Sequence, residues 1–326
     1  MAGAGTVTII GAGIIGMCCA SYLQRMGRQV RVVDSVAPGR STSFGNAGGL
    51  SSGACIPLAM PGILKQVPKW LLDPEGPLVV RPGYFLKALP WLLQFIASAK
   101  PEKVERSADA ILALTGPLFE NLMPLARDAG VEDLIKRVGQ LHLYSTDEAF
   151  AGDARGREMR LRRGLKLDVL GAEEIRQMEP DLAPIFRHAV YFPDHGHCAN
   201  PLALSEGLAA EVRRRGGEIV QARVGDLEIG PDGVRALRSD GGTLPVEELV
   251  VAAGAASFRI WQKQLRLRPE TVGLLGMAAI GLVAPGGGYT ALDDLADAAK
   301  VLDRKGLTAA GRALTKHAEG QRAGSR

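Results

Sequence analysis

The sequence predicts an α/β protein: a Rossmann-type dinucleotide-binding domain with an inserted α+β domain, followed by a helical C-terminal tail. Three observations support this prediction. Thr6–Ile10 has the pattern of a short buried strand, and a glycine-rich turn leads from it into a helix ending near Met26. Gln29–Val33 has the pattern of a second strand, which ends at Asp34. A strand–turn–helix–strand unit of this kind is typical of a parallel sheet.

The next part of the chain predicts a long loop and then mostly helices. Residues 35–62 are rich in Ser, Gly, Ala and Pro, which predicts a loop long enough to suggest a functional role. Residues 104–129 have the spacing of one amphipathic helix. Its apolar face would consist of Ile111, Leu114, Leu118 and Leu122. Gly139–Tyr144 reads as a strand, and residues 147–178 read as charged helices separated by turns.

The later part predicts a helix followed by a β-meander. Ala189–Phe192 reads as a strand, and residues 201–215 read as a helix that ends at the Gly216–Gly217 pair. Four apolar segments then alternate with turns, which predicts an antiparallel meander. They are EIVQARV (218–224), DLEI (226–229), GVRALRS (233–239) and ELVVAAG (248–254). In the tail, two short helices are expected at about 290–303 and 308–317.

Length, composition and the lengths of the apolar runs limit the kinds of protein that this sequence can form. With 326 residues, 46% of them hydrophobic, the chain can form two domains with a sizeable core. The four cysteines show no metal-ligand spacing and are expected to be reduced, in a cytoplasmic protein. The N-terminus lacks the basic region of a signal peptide. The apolar run Val272–Ala284 covers 13 residues, whereas a membrane-spanning helix needs about 20.

The strongest motif is the glycine-rich turn after the first strand. It reads Gly11, Ala12, Gly13, Ile14, Ile15 and Gly16. Gly11 allows a tight turn, Gly13 lets the backbone approach a diphosphate, and Gly16 lets helix and strand pack closely. The N-terminus of the helix then offers N–H groups and a positive dipole end to phosphates. Asp34 can accept hydrogen bonds from the adenosine ribose hydroxyls, and its charge disfavours a 2′-phosphate.

The choice between NAD and FAD depends on the loop Ser41-Thr42-Ser43-Phe44-Gly45-Asn46-Ala47-Gly48-Gly49. Its small residues let the backbone approach a flat ring or a diphosphate, and its hydroxyl and amide groups can bond both. Here the chain resembles the D-amino-acid oxidase-like FAD-dependent oxidoreductases, and within them the bacterial D-amino-acid dehydrogenases. The stretch PLAMPGILKQVPKWLLDPEGPLVVRP is also similar. The resemblance covers residues 6–257.

The resemblance implies FAD as the cofactor and names further site residues. Along the diphosphate and isoalloxazine it would place Ser41, Thr42, Ser43, Asn46, Ala47 and Gly48. Val224 would contact adenine through its backbone, and Ala253 and Gly254 would form a second contact with the dinucleotide. The implied FAD-binding domain comprises residues 1–85 and 195–257, and the implied portion of the substrate domain comprises residues 86–194.

The resemblance also implies an activity, the oxidation of the amine of a D-amino acid by hydride transfer to flavin N5. The imino acid would then hydrolyse, and the electrons would pass to a membrane acceptor. A cytoplasmic protein, peripheral on the inner face of a bacterial membrane, would follow. Family members continue well beyond the similar region, so the substrate domain is expected to be incomplete. The alternatives are therefore an active enzyme and an FAD-binding fragment without turnover, and no catalytic residue is assigned.

Two regions remain open to more than one interpretation. His195 and His197 are two residues apart and would share a face on a strand. The segment is either a plain turn or a loop on the substrate side; a metal site lacks further ligands, and none is expected. The divergent tail, residues 258–326, resembles segments of bacterial polymorphic toxins. Its excess of basic residues fits either a nucleic-acid-binding module or a solvated appendage, whereas the main body is not expected to bind nucleic acid.

Overall fold

The computed structural model describes residues 5–62, 67, 83, 85–230 and 233–257. Its strands are β1 Val7–Ile10, β2 Val30–Asp34, β3 Gly49–Leu50, β4 Ile135–Lys136, β5 Gln140–Tyr144, β6 Asp168–Gly171, β7 His188–Phe192, β8 Gly196–Cys198, β9 Glu218–Gln221, β10 Val224–Gly230, β11 Gly233–Ser239, β12 Gly242–Pro245 and β13 Glu248–Val251. Its helices are α1 Ile14–Arg25, α2 Phe85–Ser98, α3 Pro101–Thr115, α4 Leu118–Asp128, α5 Asp147–Gly152, α6 Ala154–Arg162, α7 Ala172–Met178 and α8 Pro201–Arg214.

A parallel sheet with strand order β13-β1-β2-β9 forms the centre of the fold. In the register, Ile9 pairs with Val32 of β2 on one side and with Val250 of β13 on the other. Every residue of β1 is buried, because both faces of the sheet are covered. The predicted β1–α1–β2 unit and the Rossmann-type α/β class are confirmed.

The predicted four-segment meander is wrong at both ends. Among the described residues of this region, β10, β11 and β12 form the antiparallel meander, and β12 is a strand that the sequence pattern does not predict. α8 leads the chain to the free edge of β2, where β9 pairs in parallel. After the meander the chain returns to place β13 beside β1. Consecutive strands are neighbours in most sheets but not in all. Here β9 and β13 pair instead with strands from the start of the chain.

Two hydrophobic clusters cover the two faces of the parallel sheet. On one face, Ile9 and Val32 pack with α1, α4 and α8, for example against Met17 and Leu208. On the other face, Ile10 and Val33 pack with the meander. Adjacent strand residues therefore point into different clusters, as the period of two in a strand requires. The sheet lies between a helical layer and a small antiparallel sheet.

The helical prediction for the middle of the chain needs two corrections. The single helix expected over residues 104–129 is two helices, α3 and α4, which meet at Gly116 and Pro117. Pro117 has no N–H for the helical ladder, so the chain restarts there. The region 147–178 contains not only helices but also β6, which pairs antiparallel with β7. β6 is only four residues long and lies between charged segments, so its strand pattern is hard to recognise in the sequence.

Two further sheets involve the middle of the chain, and the first of them also contains β3 from the loop after β2. The first has the order β3-β8-β4 and the second the order β5-β7-β6. Because β4 lies within residues 86–194 and β3 and β8 do not, the first sheet crosses the expected domain boundary; the division into domains remains a prediction. The tail helices lie outside the described residues. No described helix has both the length and the apolar character needed to cross a bilayer.

Candidate functional site

The sequence-predicted residues converge on the carboxyl edge of the parallel sheet, where its strands end side by side. The Gly11 N–H donates to the Val33 carbonyl of β2 at 2.9 Å, and the Ala252 N–H donates to the Ile10 carbonyl at 2.7 Å. On the other side, the Ala222 N–H donates to the Asp34 carbonyl at 2.8 Å. In open α/β sheets, ligands bind outside the carboxyl ends of the strands. This edge is therefore the candidate site.

The glycines of the turn after β1 are required by close backbone contacts. Gly11 has φ +113°, which favours glycine, and a Cβ there would overlap the Ala252 carbonyl. A Cβ on Gly16 would overlap the carbonyl oxygen of Gly11. A Cβ on Gly13 would meet only the Ser43 hydroxyl, at 3.1 Å. Gly11 and Gly16 thus hold the turn against the sheet, while Gly13 leaves room for a ligand to approach.

Asp34 is held at the end of β2 by the same turn. Its Oδ2 accepts a hydrogen bond from the Ala12 N–H at 2.7 Å, and its Oδ1 accepts one from the Val36 N–H at 3.2 Å. The side chain is half-buried, so part of the carboxylate stays accessible. These contacts fix the carboxylate beside the N-terminus of α1.

The loop after β2 folds back over this turn. The Ser43 hydroxyl accepts the Ile14 N–H at 2.9 Å, and the Gly39 N–H donates to the Ala12 carbonyl at 2.9 Å. The first amides of a helix have no acceptor within the helix. With Ile14 engaged, the Gly13, Ile15 and Gly16 amides remain without an acceptor in the described part of the chain. They are the groups left for a phosphate.

The Asn46 side chain shapes the end of that loop. Its Oδ1 accepts the Gly48 N–H at 2.8 Å, and its Nδ2 donates to the Ser43 carbonyl at 3.2 Å. Gly48 has φ +66°, and a Cβ there would overlap the Cys198 carbonyl. The side chains of Ser43 and Asn46 therefore act first as internal supports of the loop.

The other expected site residues lie around the same edge. Ser41, Thr42 and Ala47 are exposed. A Cβ on Gly254 would lie 3.8 Å from the Thr42 hydroxyl, so the loop after β2 meets the turn after β13. Val224 and Ala253 are partly buried against the meander cluster. The cofactor-site residues predicted from the sequence therefore all lie at or around the carboxyl edge of the parallel sheet.

The expectation that His195 and His197 share a face is wrong. His195 precedes β8 and is buried, while His197 lies within β8 and is exposed. The His195 Nδ1 lies 3.1 Å from Gln140 Oε1, and the ring stacks on Phe192 with centroids 4.8 Å apart. No group of metal-ligating side chains is found among the described residues.

Burial affects the protonation of this histidine and of the cysteines. Burial, and then the nearby Arg160 guanidinium, lower the pKa of His195, while the Ser52 backbone and Asp194 oppose the shift. Burial raises the pKa of the Cys18 thiol to about 12 and of the Cys19 thiol to about 11. All four cysteines are free thiols, and none is exposed.

Sequence reasoning missed three residues near the site. Gly39 has φ +75° and packs against Ser205, which lets the loop return to α1. Its position within the Ala-Pro-Gly turn was a usable signal. Ser51 and Gln140 form a hydrogen bond of 3.1 Å across 89 positions of sequence, for which no local pattern exists.

An open cleft of about 590 Å³ lies beside the downstream end of β3. Ser52, Phe119, Met123, Arg137 and Asp194 are among its lining residues. The Arg137 guanidinium lies 4.6 Å from the centre of the Phe119 ring. The cleft combines apolar and charged walls, and it adjoins the loop that forms the candidate site.

Comparison with known proteins identifies the class. The family model described as "FAD dependent oxidoreductase" matches residues 6–298. The D-amino-acid oxidase of Bradyrhizobium diazoefficiens is 39% identical over 259 residues, which are 78% of this chain and 61% of that protein. The D-amino acid dehydrogenase 2 of Ralstonia nicotianae is 32% identical over 260 residues, which are 77% of this chain and 60% of that protein.

Solved structures show the same fold. The glycine oxidase of Geobacillus kaustophilus has a TM-score of 0.55 at 22% identity, covering 80% of this chain and 58% of that one. The glycine oxidase of Bacillus cereus has a TM-score of 0.55 at 20% identity, covering 79% and 57%. The chain thus spans about three fifths of the length of these relatives. It belongs to the FAD-dependent oxidoreductase family, whose cofactor is FAD.

Proposed function

We propose that the carboxyl edge of the parallel sheet binds FAD and that the protein oxidises the amine of D-amino acids. The observation that carries the proposal is the convergence of four segments: the glycine-rich turn, Asp34, the loop after β2 and the turn after β13. A fixed carboxylate, helix N-terminal amides without acceptors and a glycine open to approach suit a dinucleotide with a diphosphate. The names of the two curated relatives support the D-amino acid as substrate.

Each segment would hold a different part of the cofactor. Asp34 would accept hydrogen bonds from the ribose, and Val224 would contact adenine beside it. Gly13 and Ile15 would donate their amides to the diphosphate, with Ser43 keeping the start of α1 in place. The full proposed set is Gly11, Ala12, Gly13, Ile14, Ile15, Gly16, Asp34, Ser41, Thr42, Ser43, Asn46, Ala47, Gly48, Val224, Ala253 and Gly254.

The chemistry would be divided between cofactor and protein. FAD, when bound, supplies the acceptor for the hydride that leaves the α-carbon of the amino acid. The protein would hold the flavin ring in place through the loop that ends at Gly48. The Asn46 side chain keeps the end of this loop in position. The cleft beside Ser52 would admit the amino acid. The imine product hydrolyses in water without help from a protein group.

The proposal also includes the electron acceptor that reoxidises the flavin. The 39% identical relative is named an oxidase, whereas two others, at 32% and 29% identity, are named dehydrogenases. We infer a dehydrogenase that passes electrons to a membrane acceptor, with the protein peripheral on the inner face of a bacterial membrane. Oxygen consumption by the purified protein, compared with reduction of an artificial quinone or dye, separates the two acceptors.

The test of the function is the visible absorption spectrum of the purified chain, reconstituted with FAD and mixed anaerobically with D-amino acids. A flavin spectrum that bleaches with D-amino acids, but not with the L-enantiomers, is the expected result. A bound flavin that does not bleach would restrict the function to FAD binding. A protein that takes up no FAD would contradict the proposal.

A further inference from the structure

A partly buried hydrogen-bond cluster lies at the downstream end of β3, where the loop that would face the flavin enters the middle of the chain. Gln140 Oε1 of β5 is the centre of the cluster. It accepts the Ser51 hydroxyl at 3.1 Å and lies 3.1 Å from the His195 Nδ1. The Ser52 backbone acts on the same ring, since it opposes the lowering of the His195 pKa. Gln140 therefore joins the imidazole of His195 to Ser51, at the end of β3.

The surroundings of His195 leave little freedom to its ring. The side chain is only 7% exposed, and it stacks on Phe192 at an interplanar angle of 13°. The Arg160 guanidinium lies 5.2 Å from the centre of the same Phe192 ring. Among the described groups, Arg160 and Asp194 act on the charge of His195, in opposite directions. A ring held on its face by Phe192 and at its Nδ1 by Gln140 is a rigid support.

The segment to which His195 is joined is short and directly follows Gly48 of the proposed cofactor site. Gly49 and Leu50 form β3, and Gly48 precedes them with its carbonyl accepting the Cys198 N–H at 2.7 Å. From Gly49 to Ser52 an extended chain spans about 10 Å. A shift at Ser51 or Ser52 is therefore transmitted toward Gly48. Asn46 holds the upstream end and the pairing with β8 holds β3 itself, so the bond of Gln140 to Ser51 adds the anchor at the downstream end.

We propose that His195 is a positioning residue, which sets the place of residues 48–52 against the cofactor through Gln140 and the Ser51 hydroxyl that Gln140 accepts. The proposal rests on the FAD site of the proposed function. It predicts that the hydrogen bond of His195 to Gln140, and not only the bulk of the ring, determines cofactor affinity. A histidine that merely filled the core would be replaceable by another ring of similar size.

Three variants separate these roles. His195→Phe keeps a ring that can stack on Phe192 but loses the hydrogen bond to Gln140. His195→Asn loses the ring but keeps an N–H donor near the position of Nδ1. His142→Phe is the matched control, because His142 also packs on the Phe192 ring, edge-on and with the ring centroids 4.7 Å apart. Thermal unfolding of each variant first establishes that it is folded.

Two measurements are made on each folded variant: the dissociation constant of FAD, and hydrogen–deuterium exchange of residues 48–53 without FAD. We expect H195F to weaken FAD binding about tenfold and to speed exchange in this segment about tenfold. H195N and H142F should stay within about threefold of the wild type in both. If H195F matches the wild type, or if H195N is as weak as H195F, His195 has no positioning role.

The exchange measurement also separates this proposal from the proposed function. A wild-type chain that binds no FAD contradicts the function, yet selective loss of protection in H195F would still support the anchoring of residues 48–52. Unchanged protection in H195F overturns the positioning role even when FAD binds.

Discussion

The carboxyl edge of the parallel sheet and the region around β5, β6 and β7 are built by different means. At the edge, backbone meets backbone: Gly11 lies against Ala252, Gly16 against Gly11, and Gly48 against Cys198. There is no space for even one methyl group at these contacts. The geometry of the edge is therefore fixed by which positions lack a side chain.

The region around β5, β6 and β7 is held by side chains. Arg163 bonds Glu105 and Asp109 across more than 50 positions, and it is largely buried. Phe150 stacks on His188 at 4.5 Å and lies under the Arg157 guanidinium at 3.8 Å. Such contacts can adjust when one partner changes. The rigid edge would suit a cofactor that must stay in one position. The adjustable region beside it would suit substrates of different shape.

Gly16→Ala is the largest expected disruption of the rigid edge. The added Cβ would overlap a backbone carbonyl that cannot move without opening the β1–α1 turn. We expect a loss of about 3 kcal/mol in the free energy of unfolding, measured with urea. Gly152→Ala at the end of α5 is the control, because a Cβ there meets nothing within 4 Å. Equal stability of the two variants would refute the contrast.

Asp34→Ala should damage the ligand edge without unfolding it. The loss of a charged hydrogen-bond acceptor is expected to weaken FAD binding about 10- to 100-fold. Fluorescence titration with FAD measures the effect. Asp181→Ala, an exposed carboxylate in the middle of the chain, should bind FAD like the wild type. Retention of full affinity by D34A would remove Asp34 from the proposed site.

Arg163→Met tests the side-chain contacts of the other region. It leaves Glu105 and Asp109 without their shared partner, so we expect a loss of about 1.5 kcal/mol in the free energy of unfolding. Arg162→Met is the control: Arg162 also pairs with Glu105 but is 53% exposed, and its loss should cost about 0.5 kcal/mol. FAD affinity should be unchanged in both, and a tenfold change would show that the two regions are coupled.

The smallest expected effect is a pH dependence from His195. Its pKa is lowered in the folded protein, so below about pH 6.5 the unfolded chain binds the proton first. Stability should therefore fall as the pH drops through that range, until the folded-state pKa is reached. Urea unfolding of wild type and H195N at several pH values measures this. The decline should be smaller in H195N, and identical profiles would contradict the assignment.

How well the sequence predicted a feature depended on whether its signal is local. The turn Gly11–Gly16 and Asp34 lie within 24 residues, and each has a local physical requirement that the residue types reveal. The pairing of β9 with β2 and of β13 with β1 depends on contacts between distant segments, and the prediction of one meander failed there. His195 could not be recognised as buried, because its partner Gln140 is 55 positions away.

The central claim, that FAD binds at the carboxyl edge of the parallel sheet, is tested most directly by titrating the flavin-free chain with FAD and following flavin fluorescence. We expect saturation at one FAD per chain in the wild type, and a clearly weaker curve for D34A. Failure of the wild type to change the fluorescence at any ratio would contradict the claim.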